Sequence, residues 1–293
     1  MKKTFFLGNI AFLGTLIIGP LHAFVNSKKE LFSHIKKIFF KGTVNEKVAL
    51  ENLNLNVAPG DFVTILGSNG AGKSTMFNAI LGAYPVEEGN IFLDGEDITF
   101  KKDYKRALDI GCIYQDPMRG TSPHMTIEEN LSLAYTRKAK RSFFAVNKHD
   151  SAYFKELLAT LDLGLENRMK TQIGLLSGGQ RQAVSLLMST IAGPKLLLLD
   201  EHTAALEPAT AKKVLKITTE IVTKNKITTM MITHDMNYAL SCGNRTIMMD
   251  EGQIILDIKG EERASMTPEG LVELFSAERK KQLTNDRMMF SMQ

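Results

Sequence analysis

Gly67-Ser-Asn-Gly-Ala-Gly-Lys-Ser-Thr75 is the stretch around which the rest of the chain is organised. It fits the pattern G-x-x-x-x-G-K-[ST], with Gly67, Gly72, Lys73 and Ser74 at the fixed positions. Glycines let the backbone curl until its N–H groups point at phosphate oxygens. A lysine at this place reaches the β- and γ-phosphates, and the hydroxyl after it is a ligand for Mg²⁺. The stretch therefore predicts a nucleoside triphosphate site, formed by Gly67, Ser68, Asn69, Gly70, Ala71, Gly72, Lys73, Ser74 and Thr75.

Both flanks of this loop have the character that a phosphate loop requires. Asp61–Leu66 is a short apolar run that suits a buried strand. Thr75–Leu81 is typical of a helix, whose positive N-terminal end would face the bound anion. The order strand, loop, helix makes a chance glycine-rich turn a poor explanation of the match.

The composition is that of an ordinary globular protein. The chain has 293 residues, of which 44 % are hydrophobic and 23 % are charged. Its net charge of +4 is mild and no basic stripe is interleaved with aromatic residues, so we expect no nucleic-acid partner. Cys112 and Cys242 do not have metal-ligand spacing, which favours a reduced, cytosolic protein.

Two carboxylates follow a continuous leucine run. Lys195-Leu-Leu-Leu-Leu-Asp200 has the apolar character of a parallel strand buried on both faces, and ligands bind at the carboxyl ends of such strands. Asp200 is therefore placed to hold Mg²⁺ or its water. Glu201 is the natural general base for a water that attacks the γ-phosphate.

Leu176-Ser-Gly-Gly-Gln-Arg-Gln182 opens a predicted helix and offers a second anion-binding helix start. The groups concerned are the Ser177 hydroxyl and the N–H groups of Gly178 and Gly179. The chain has only one Walker-type loop, so the economical interpretation is that Ser177 contacts the nucleotide of a second chain. The alternative is a tight turn with an ordinary helix N-cap.

Two further polar residues follow predicted strands. Gln115 comes after Asp109–Tyr114 and can bridge Mg²⁺, water and the segment that follows, although alone it fits a structural role equally well. His234 comes after Thr228–Thr233 and can hydrogen-bond the γ-phosphate and the attacking water. A lone histidine is more often structural, but the order of the motifs favours the functional role.

In order and spacing these motifs resemble the ATP-binding-cassette (ABC) ATPases. The resemblance covers residues 31–260 and rests on Gly67–Thr75, Gln115, Leu176–Gln180, Leu196–Glu201 and His234. It implies an α/β P-loop fold with a mainly parallel sheet core, an antiparallel β subdomain and an inserted α-helical subdomain. It also implies ATP and Mg²⁺ as ligands.

Site roles follow from the same resemblance. Glu201, His234 and Gln115 would be catalytic, and Ser74, Gln115 and Asp200 would hold the metal. The signature contacts to nucleotide would come from Ser177, Gly178, Gly179 and Gln180. Phe39 lies where the family has an aromatic residue that stacks on adenine, although Phe40 is adjacent and core packing is an alternative.

Two positions depart from the family pattern. His202 stands where the family usually has proline, and Glu207 stands where an aspartate usually lies. The sequence Asp-Glu-His-Thr-Ala-Ala-Leu resembles a subgroup of bacterial importers encoded with a binding protein and a permease, some of them linked to aromatic amino acids. We expect His202 to be a packing variant rather than a catalytic residue. Glu207 keeps the charge and adds a methylene group, which affects the contact between subunits rather than the fold.

Residues 1–29 form an apolar extension of a different character. Lys2 and Lys3 precede the uncharged stretch Thr4–Leu21, which resembles a signal peptide. Three interpretations remain open: a start codon placed too early, a membrane anchor, or an uncleaved amphiphilic extension. If the stretch spans a membrane, the positive-inside rule keeps the ATPase in the cytoplasm, because Lys2 and Lys3 are outnumbered by Lys28, Lys29, Lys36, Lys37 and Lys41.

The remaining pattern predicts how the chain is divided. We expect an ATPase domain at 30–260 with a helical subdomain at about 116–176, and a C-terminal helical tail at 261–293. Thr126 begins a helix in that subdomain with a partial capping box, because Asn130 is taken as its partner in place of a glutamate. Strands are predicted at 32–40, 48–57, 91–93, 109–114, 195–200, 228–233, 245–250 and 253–257, and helices at 151–163, 179–192, 208–225 and 268–283.

The sequence therefore predicts the ATPase subunit of a bacterial ABC transporter, and an importer of amino acids or similar small solutes. Two cassettes would close on two ATP molecules at the cytoplasmic face of the membrane, with permease subunits and a solute-binding protein as partners. The alternative is the ATPase of an exporter or of a complex that moves lipids or lipoproteins. A soluble cassette acting on ribosomes or DNA is disfavoured, because paired cassettes, zinc modules and long coiled coils are not visible. A degenerate regulator is disfavoured by Lys73, Glu201 and His234.

Overall fold

The computed structural model describes residues 30–138 and 148–290, with side chains for 31–138 and 149–280. The predictions for residues 1–29 lie outside this range. Among the described residues, none of the helices combines the length and the apolar character that a membrane span needs. The strands are β1 (Glu30–Phe39), β2 (Lys47–Asn56), β3 (Phe62–Gly67), β4 (Glu88–Leu93), β5 (Glu96–Asp97), β6 (Ile110–Ile113), β7 (Leu196–Asp200), β8 (Thr228–Ile232), β9 (Arg245–Asp250) and β10 (Gln253–Lys259).

The main sheet has six strands in the order β10-β9-β3-β8-β7-β6. The strands from β9 to β6 run parallel, and only β10 is antiparallel to its neighbour. The four leucines Leu196–Leu199 are buried, as expected for a strand covered on both faces. The predicted mainly parallel core is therefore confirmed.

A second, antiparallel sheet has the order β2-β1-β4-β5. Its inner face packs on the main core through Phe32, Ile35, Leu50 and Ile91, all buried. The turn between β4 and β5 contains Asp94 and Gly95, which confirms the predicted hairpin edge. This sheet is the predicted antiparallel β region.

The helices lie around both sheets. They are α1 (Lys73–Leu81), α2 (Asp103–Arg106), α3 (Ile127–Thr136), α4 (Lys148–Ala159), α5 (Gly178–Thr190), α6 (Pro208–Asn225), α7 (Met236–Ser241), α8 (Gly260–Ala264) and α9 (Pro268–Phe290). The short helices α7 and α8 were not predicted, because each is too brief to show a helical period. The predicted end of α9 near Leu283 is too early, since the helix continues to Phe290.

The described residues between β6 and α5 include the helices α3 and α4. Their core is formed by Ile127, Leu131, Phe154 and Leu158, which lie on the facing sides of α3 and α4. The expectation of a partial capping box at Thr126 is wrong: the residue three positions on is Glu129, and both reciprocal hydrogen bonds of the box are present. The capping box therefore fixes the N-terminal end of α3 fully.

Candidate nucleotide site

Four neighbouring strands of the main sheet end at one edge, and each leads into a predicted site residue. The phosphate loop follows β3, and His234 follows β8. Asp200 ends β7, and Gln115 follows β6. Because these four strands are parallel and adjacent, the sheet brings their carboxyl ends together.

The phosphate loop has a backbone that only glycine fits at two places. Gly67 has φ 149°, and a Cβ there would lie 2.3 Å from the carbonyl oxygen of Met249. Gly72 has φ 100°, and a Cβ there would lie 2.7 Å from the carbonyl oxygen of Ala49. The loop is thus pressed against β9 and β2 on one side, which leaves its other side to face a ligand.

Lys73 is the first residue of α1 and is 6 % exposed. Its Nζ donates to the carbonyl oxygens of Gly67 and Ser68, at 2.6 and 2.9 Å. Burial lowers the pKa of Lys73, and the negative charges of Glu201 and Asp200 oppose this shift. The ammonium group therefore lies at the loop and in the field of both carboxylates.

The N-terminal end of α1 has no side-chain cap, since Gly72 supplies none. The first N–H groups of a helix have no partner within it, so in α1 they are left to an anion. Helices α3 and α5 differ, because Thr126 and Ser177 cap them. The starts of α2, α6 and α8 also lack a side-chain cap, so it is the position of α1 directly after the glycine-rich loop that supports a phosphate site there.

Glu201 and His234 contact each other directly. His234 Nε2 lies 2.6 Å from Glu201 Oε1, with the glutamate mostly buried and the histidine half exposed. Asp200 is beside them, and burial raises its pKa, with the charge of Glu201 acting in the same direction. Lys73, Arg119 and His234 lower the pKa of Asp200. These groups form one coupled electrostatic cluster.

The donor set suits Mg²⁺ bound chiefly through phosphates and water. The predicted ligands Ser74 and Gln115 are both exposed, and Asp200 is partly buried at the end of its strand. Within the described part of the chain, no three His, Cys, Asp or Glu residues converge as a metal cage. Mg²⁺ is commonly held by one or two carboxylates together with substrate phosphates, so these residues fit it.

Tyr114, which precedes Gln115, is tied to helix α5 by a residue that the sequence analysis did not assign. Gln182 of α5 is fully buried, and its Nε2 donates to the carbonyl oxygen of Tyr114 at 3.3 Å. The Arg119 guanidinium lies 4.6 Å from the Tyr114 ring centroid on the same stretch. Gln182 could have been noticed as a polar residue on the apolar face of α5.

The signature residues form an N-cap in the single chain. The hydroxyl of Ser177 accepts from the Gln180 N–H, and the Gln180 side chain accepts from the Ser177 N–H. Gly179 has no room for a side chain, because a Cβ would lie 2.2 Å from Thr210 Cγ2 on α6. Ser177 and Gly178 are exposed, so the start of α5 remains open to a second chain.

Phe39 and Phe40 have different surroundings. The Phe39 ring meets Tyr84 edge to face at 5.3 Å, and Lys37 Nζ lies 5.3 Å from its centroid. Phe40 is 70 % exposed and has a left-handed backbone with φ 54°.

Lys47 also approaches the phosphate loop, because its Nζ lies 3.8 Å from where a Cβ on Gly70 would be. Nothing in the sequence around Lys47 predicted that this side chain lies near the loop.

His202 is a buried residue with a structural partner. It is 2 % exposed, and its Nε2 lies 3.2 Å from Thr218 Oγ1 on α6. The Thr218 hydroxyl donates to the Val214 carbonyl at 2.9 Å, so it accepts from His202. Burial lowers the pKa of His202 to about 4, so the ring is neutral at pH 7. Glu207, the other departure, is exposed at the start of α6.

A cavity of about 780 Å³ lies at the opposite edge of the main sheet. Leu196 and Thr228 line it, and these residues begin β7 and β8. The predicted site residues lie beyond the other ends of the same strands. The cavity is therefore separate from the nucleotide site.

Comparison with known proteins gives the family. Residues 50–204 match the family model described as ABC transporter. The chain is 43 % identical over 225 residues to the tyrosine transport ATP-binding protein of Clostridioides difficile (strain R20291), covering 77 % of this chain and 90 % of that protein. It is 35 % identical over 208 residues to the spermidine/putrescine import ATP-binding protein PotA of Spiroplasma citri, covering 71 % of this chain and 56 % of that protein. The chain thus spans little more than half of PotA.

Solved structures agree with the sequence relatives. The dimeric post-hydrolysis structure of the ATP-binding cassette MJ0796, bound to ADP and Pi, has a TM-score of 0.68 at 28 % identity, covering 78 % of this chain and 98 % of that one. The ATP-binding cassette MJ1267 of an ABC transporter has a TM-score of 0.69 at 26 % identity, covering 85 % of this chain and 98 % of that one. The ABC cassette fold expected from the motifs is confirmed, and the chain belongs to the ABC transporter family as one of its ATP-binding, ATP-hydrolysing proteins.

Proposed function

We propose that this ATPase powers the import of an amino acid or a similar small solute, with tyrosine or another aromatic amino acid as the leading cargo class. The observation that carries the ATPase chemistry is the set of four parallel strand ends that present the phosphate loop, His234, the Asp200–Glu201 pair and Gln115 at one edge. The cargo class is supported by the 43 % identity to a tyrosine transport ATP-binding protein.

The reaction is hydrolysis of the terminal phosphoanhydride. A water oxygen bonds to the γ-phosphorus while the bond from that phosphorus to the β,γ-bridging oxygen breaks, and ADP and phosphate leave. Glu201 takes the proton of the attacking water, and His234 orients that water and the γ-phosphate through its ring nitrogens. The contact between Glu201 and His234 fixes the two side chains relative to each other.

The nucleotide is held by the loop and by α1. Backbone N–H groups of the loop and of the first turn of α1 face the phosphates, and Lys73 supplies the positive charge there. Ser74, Asp200 and Gln115 would hold Mg²⁺, which would supply positive charge to the phosphate oxygens. Phe39 is the proposed contact to adenine.

Two chains would act together. The exposed Ser177 and Gly178, with Gly179 and Gln180 behind them, would meet the γ-phosphate of an ATP bound at Lys73 of the partner subunit. This pairing is supported by the dimeric structure of the cassette MJ0796, with which the chain shares its fold. As the ATPase of an importer, the chain would act with permease subunits, which it would meet at the cytoplasmic face of the membrane, and with a solute-binding protein.

The test is affinity capture of the full chain from gently solubilised membranes, with the bound proteins identified. A permease together with a solute-binding protein is the expected result and would narrow the cargo. Capture of a permease without a binding protein would instead favour the exporter alternative. Ribosomes or DNA-repair proteins in place of a permease would overturn the transport proposal.

A further inference from the structure

The end of β9 and the turn after it pack against the back of the phosphate loop at three points. The Met249 carbonyl leaves no room for a side chain at Gly67, and the Gly252 N–H donates to the Ala71 carbonyl at 3.0 Å. The Ser68 hydroxyl donates to Asp250 Oδ1 at 3.0 Å. Two of these contacts use the backbone of this segment, and only the third depends on one of its side chains. A substitution of Asp250 can therefore remove its contact with Ser68 and leave the two backbone contacts in place.

Asp250 also connects the loop to the C-terminal helix. Its carboxylate is nearly fully buried, and Oδ2 accepts from Nε of Arg279 on α9 at 3.1 Å. Helix α9 is itself anchored, because Leu271 is fully buried and Phe275 packs in the same apolar cluster as Met248. Arg279 is thus connected to the phosphate loop through Asp250, whose other carboxylate oxygen accepts from Ser68.

The charges of Asp250 and Arg279 should affect how tightly the loop binds phosphates. A buried carboxylate directly behind a loop that binds a polyanion opposes that binding unless its charge is balanced. Arg279 is the cation that the structure places on Asp250. Removal of the arginine would leave the carboxylate beside Ser68 without this balancing cation, and burial would keep water from screening it fully.

We propose that Arg279 is a positioning residue of the nucleotide site, which neutralises Asp250 and lets that carboxylate hold Ser68 without repelling the phosphates of ATP. The C-terminal helix α9 thereby sets the affinity of the phosphate loop. The inference rests on the proposal that Gly67–Thr75 binds those phosphates. It adds Arg279 to that site, a residue that belongs to none of the sequence motifs described above.

The test is a double-mutant cycle on the full chain with Arg279→Ala, Asp250→Asn and the two together. ATP affinity is measured by calorimetry with Mg²⁺ present, and turnover by phosphate release. Arg279→Ala should raise the Kd for ATP about three- to fivefold and the KM in parallel, with kcat within about twofold. In the Asp250→Asn background the same arginine substitution should change the Kd by less than about 1.5-fold, because the charge that it balances is gone.

Three controls distinguish a failure of the role given to Arg279 from a failure of the phosphate-site proposal. Lys224→Ala removes one positive charge from the far end of α6 and should leave the Kd unchanged. Lys73→Ala should abolish ATP binding; if it does not, the phosphate-site proposal fails, whatever Arg279 does. If Lys73→Ala abolishes binding but Arg279→Ala leaves the Kd at the parent value, or raises it equally in both Asp250 backgrounds, the role given to Arg279 is wrong. Thermal unfolding of every variant identifies a loss of affinity that comes from unfolding alone.

Discussion

Glu201 Oε1 and His234 Nε2 lie 2.6 Å apart, at the ends of the neighbouring strands β7 and β8. Glu201 is also one of the non-glycine residues with a left-handed backbone, at φ 49°. Such a conformation costs about 1–3 kcal/mol and persists where the surroundings impose it. Here the Glu201 N–H donates to the Ile232 carbonyl at 3.1 Å, which ties the glutamate to β8. The proposed base and its histidine are therefore positioned as a unit.

We expect Glu201→Gln to separate ATP binding from turnover. The amide keeps the size and a hydrogen bond to His234 but cannot accept the proton of water, so phosphate release should fall about 10²–10⁴-fold. Calorimetry should give an ATP Kd close to that of the parent, and size exclusion with ATP should show accumulated dimer. Hydrolysis at the parent rate would mean that Glu201 is not the base.

The contact between these residues predicts that their substitutions are not additive. His234→Ala alone should also lower turnover strongly, because the attacking water loses its orientation. The double variant with Glu201→Gln should then be no more than about tenfold slower than the slower single variant. Single-turnover rates measure this coupling. Fully multiplicative losses would show that the two residues act independently.

The sequence predicted the parts of the site that depend on local pattern. The strand and helix that flank Gly67–Thr75 and the strand that ends at Asp200 were assigned correctly, because each has an apolar run or helical pattern of its own. The capping box at Thr126 was misjudged, because its partner was placed one residue too far along the helix. Roles in ligand binding remain predictions for every residue of the site.

The parts that sequence did not indicate are contacts between distant segments. Ser68 meets Asp250 across 182 residues, and Gln182 meets Tyr114 across 68. Neither pair has a spacing that a helical or strand period could reveal, since each depends on how strands and helices pack. For His202 a packing role was expected from the sequence, but its partner Thr218 became visible only with α6 in place.

We expect Phe39 rather than Phe40 to be the adenine contact. Phe39→Ala should raise the KM for ATP by up to about tenfold with little change in kcat, since a stacked ring contributes about 0.5–1.5 kcal/mol. Phe40→Ala is the matched control and should leave the KM close to the parent value, despite its 70 % exposure. Steady-state kinetics with ATP decide between them. A larger loss in Phe40→Ala would transfer the role to that residue.

We expect substitutions of His202 to affect stability more than catalysis. Thr218→Val keeps the shape but leaves the buried His202 Nε2–H without an acceptor, which should cost about 1–3 kcal/mol of unfolding free energy. His202→Leu combined with Thr218→Val removes both polar partners and should recover part of that loss. Urea unfolding and phosphate release are measured together. Loss of turnover at unchanged stability would assign His202 a catalytic role.

Gln182 offers a case in which activity should fall at nearly unchanged stability. Its Nε2 donates to the Tyr114 carbonyl, but its buried Oε1 has no hydrogen-bond donor within reach in the part of the chain that the structure describes. A buried, unsatisfied oxygen costs about 1–3 kcal/mol. Gln182→Met keeps the volume and removes that oxygen, but it also takes the donor from the Tyr114 carbonyl. Because these two effects oppose each other, the free energy of unfolding should change by less than about 1 kcal/mol.

The same substitution should slow hydrolysis. Without Gln182 the Tyr114 carbonyl, just after β6, loses its hydrogen bond to α5, and Gln115 is the next residue along the chain. We expect kcat to fall severalfold while the ATP Kd is unchanged, because the phosphate loop is not touched. Ser189→Ala is the matched control: it removes an α5 side-chain hydrogen bond to the Cys112 carbonyl within β6, farther from Gln115, and should leave kcat near the parent value. Equal losses in both variants would mean that general packing of α5 on β6, and not the hold on Gln115, controls the rate.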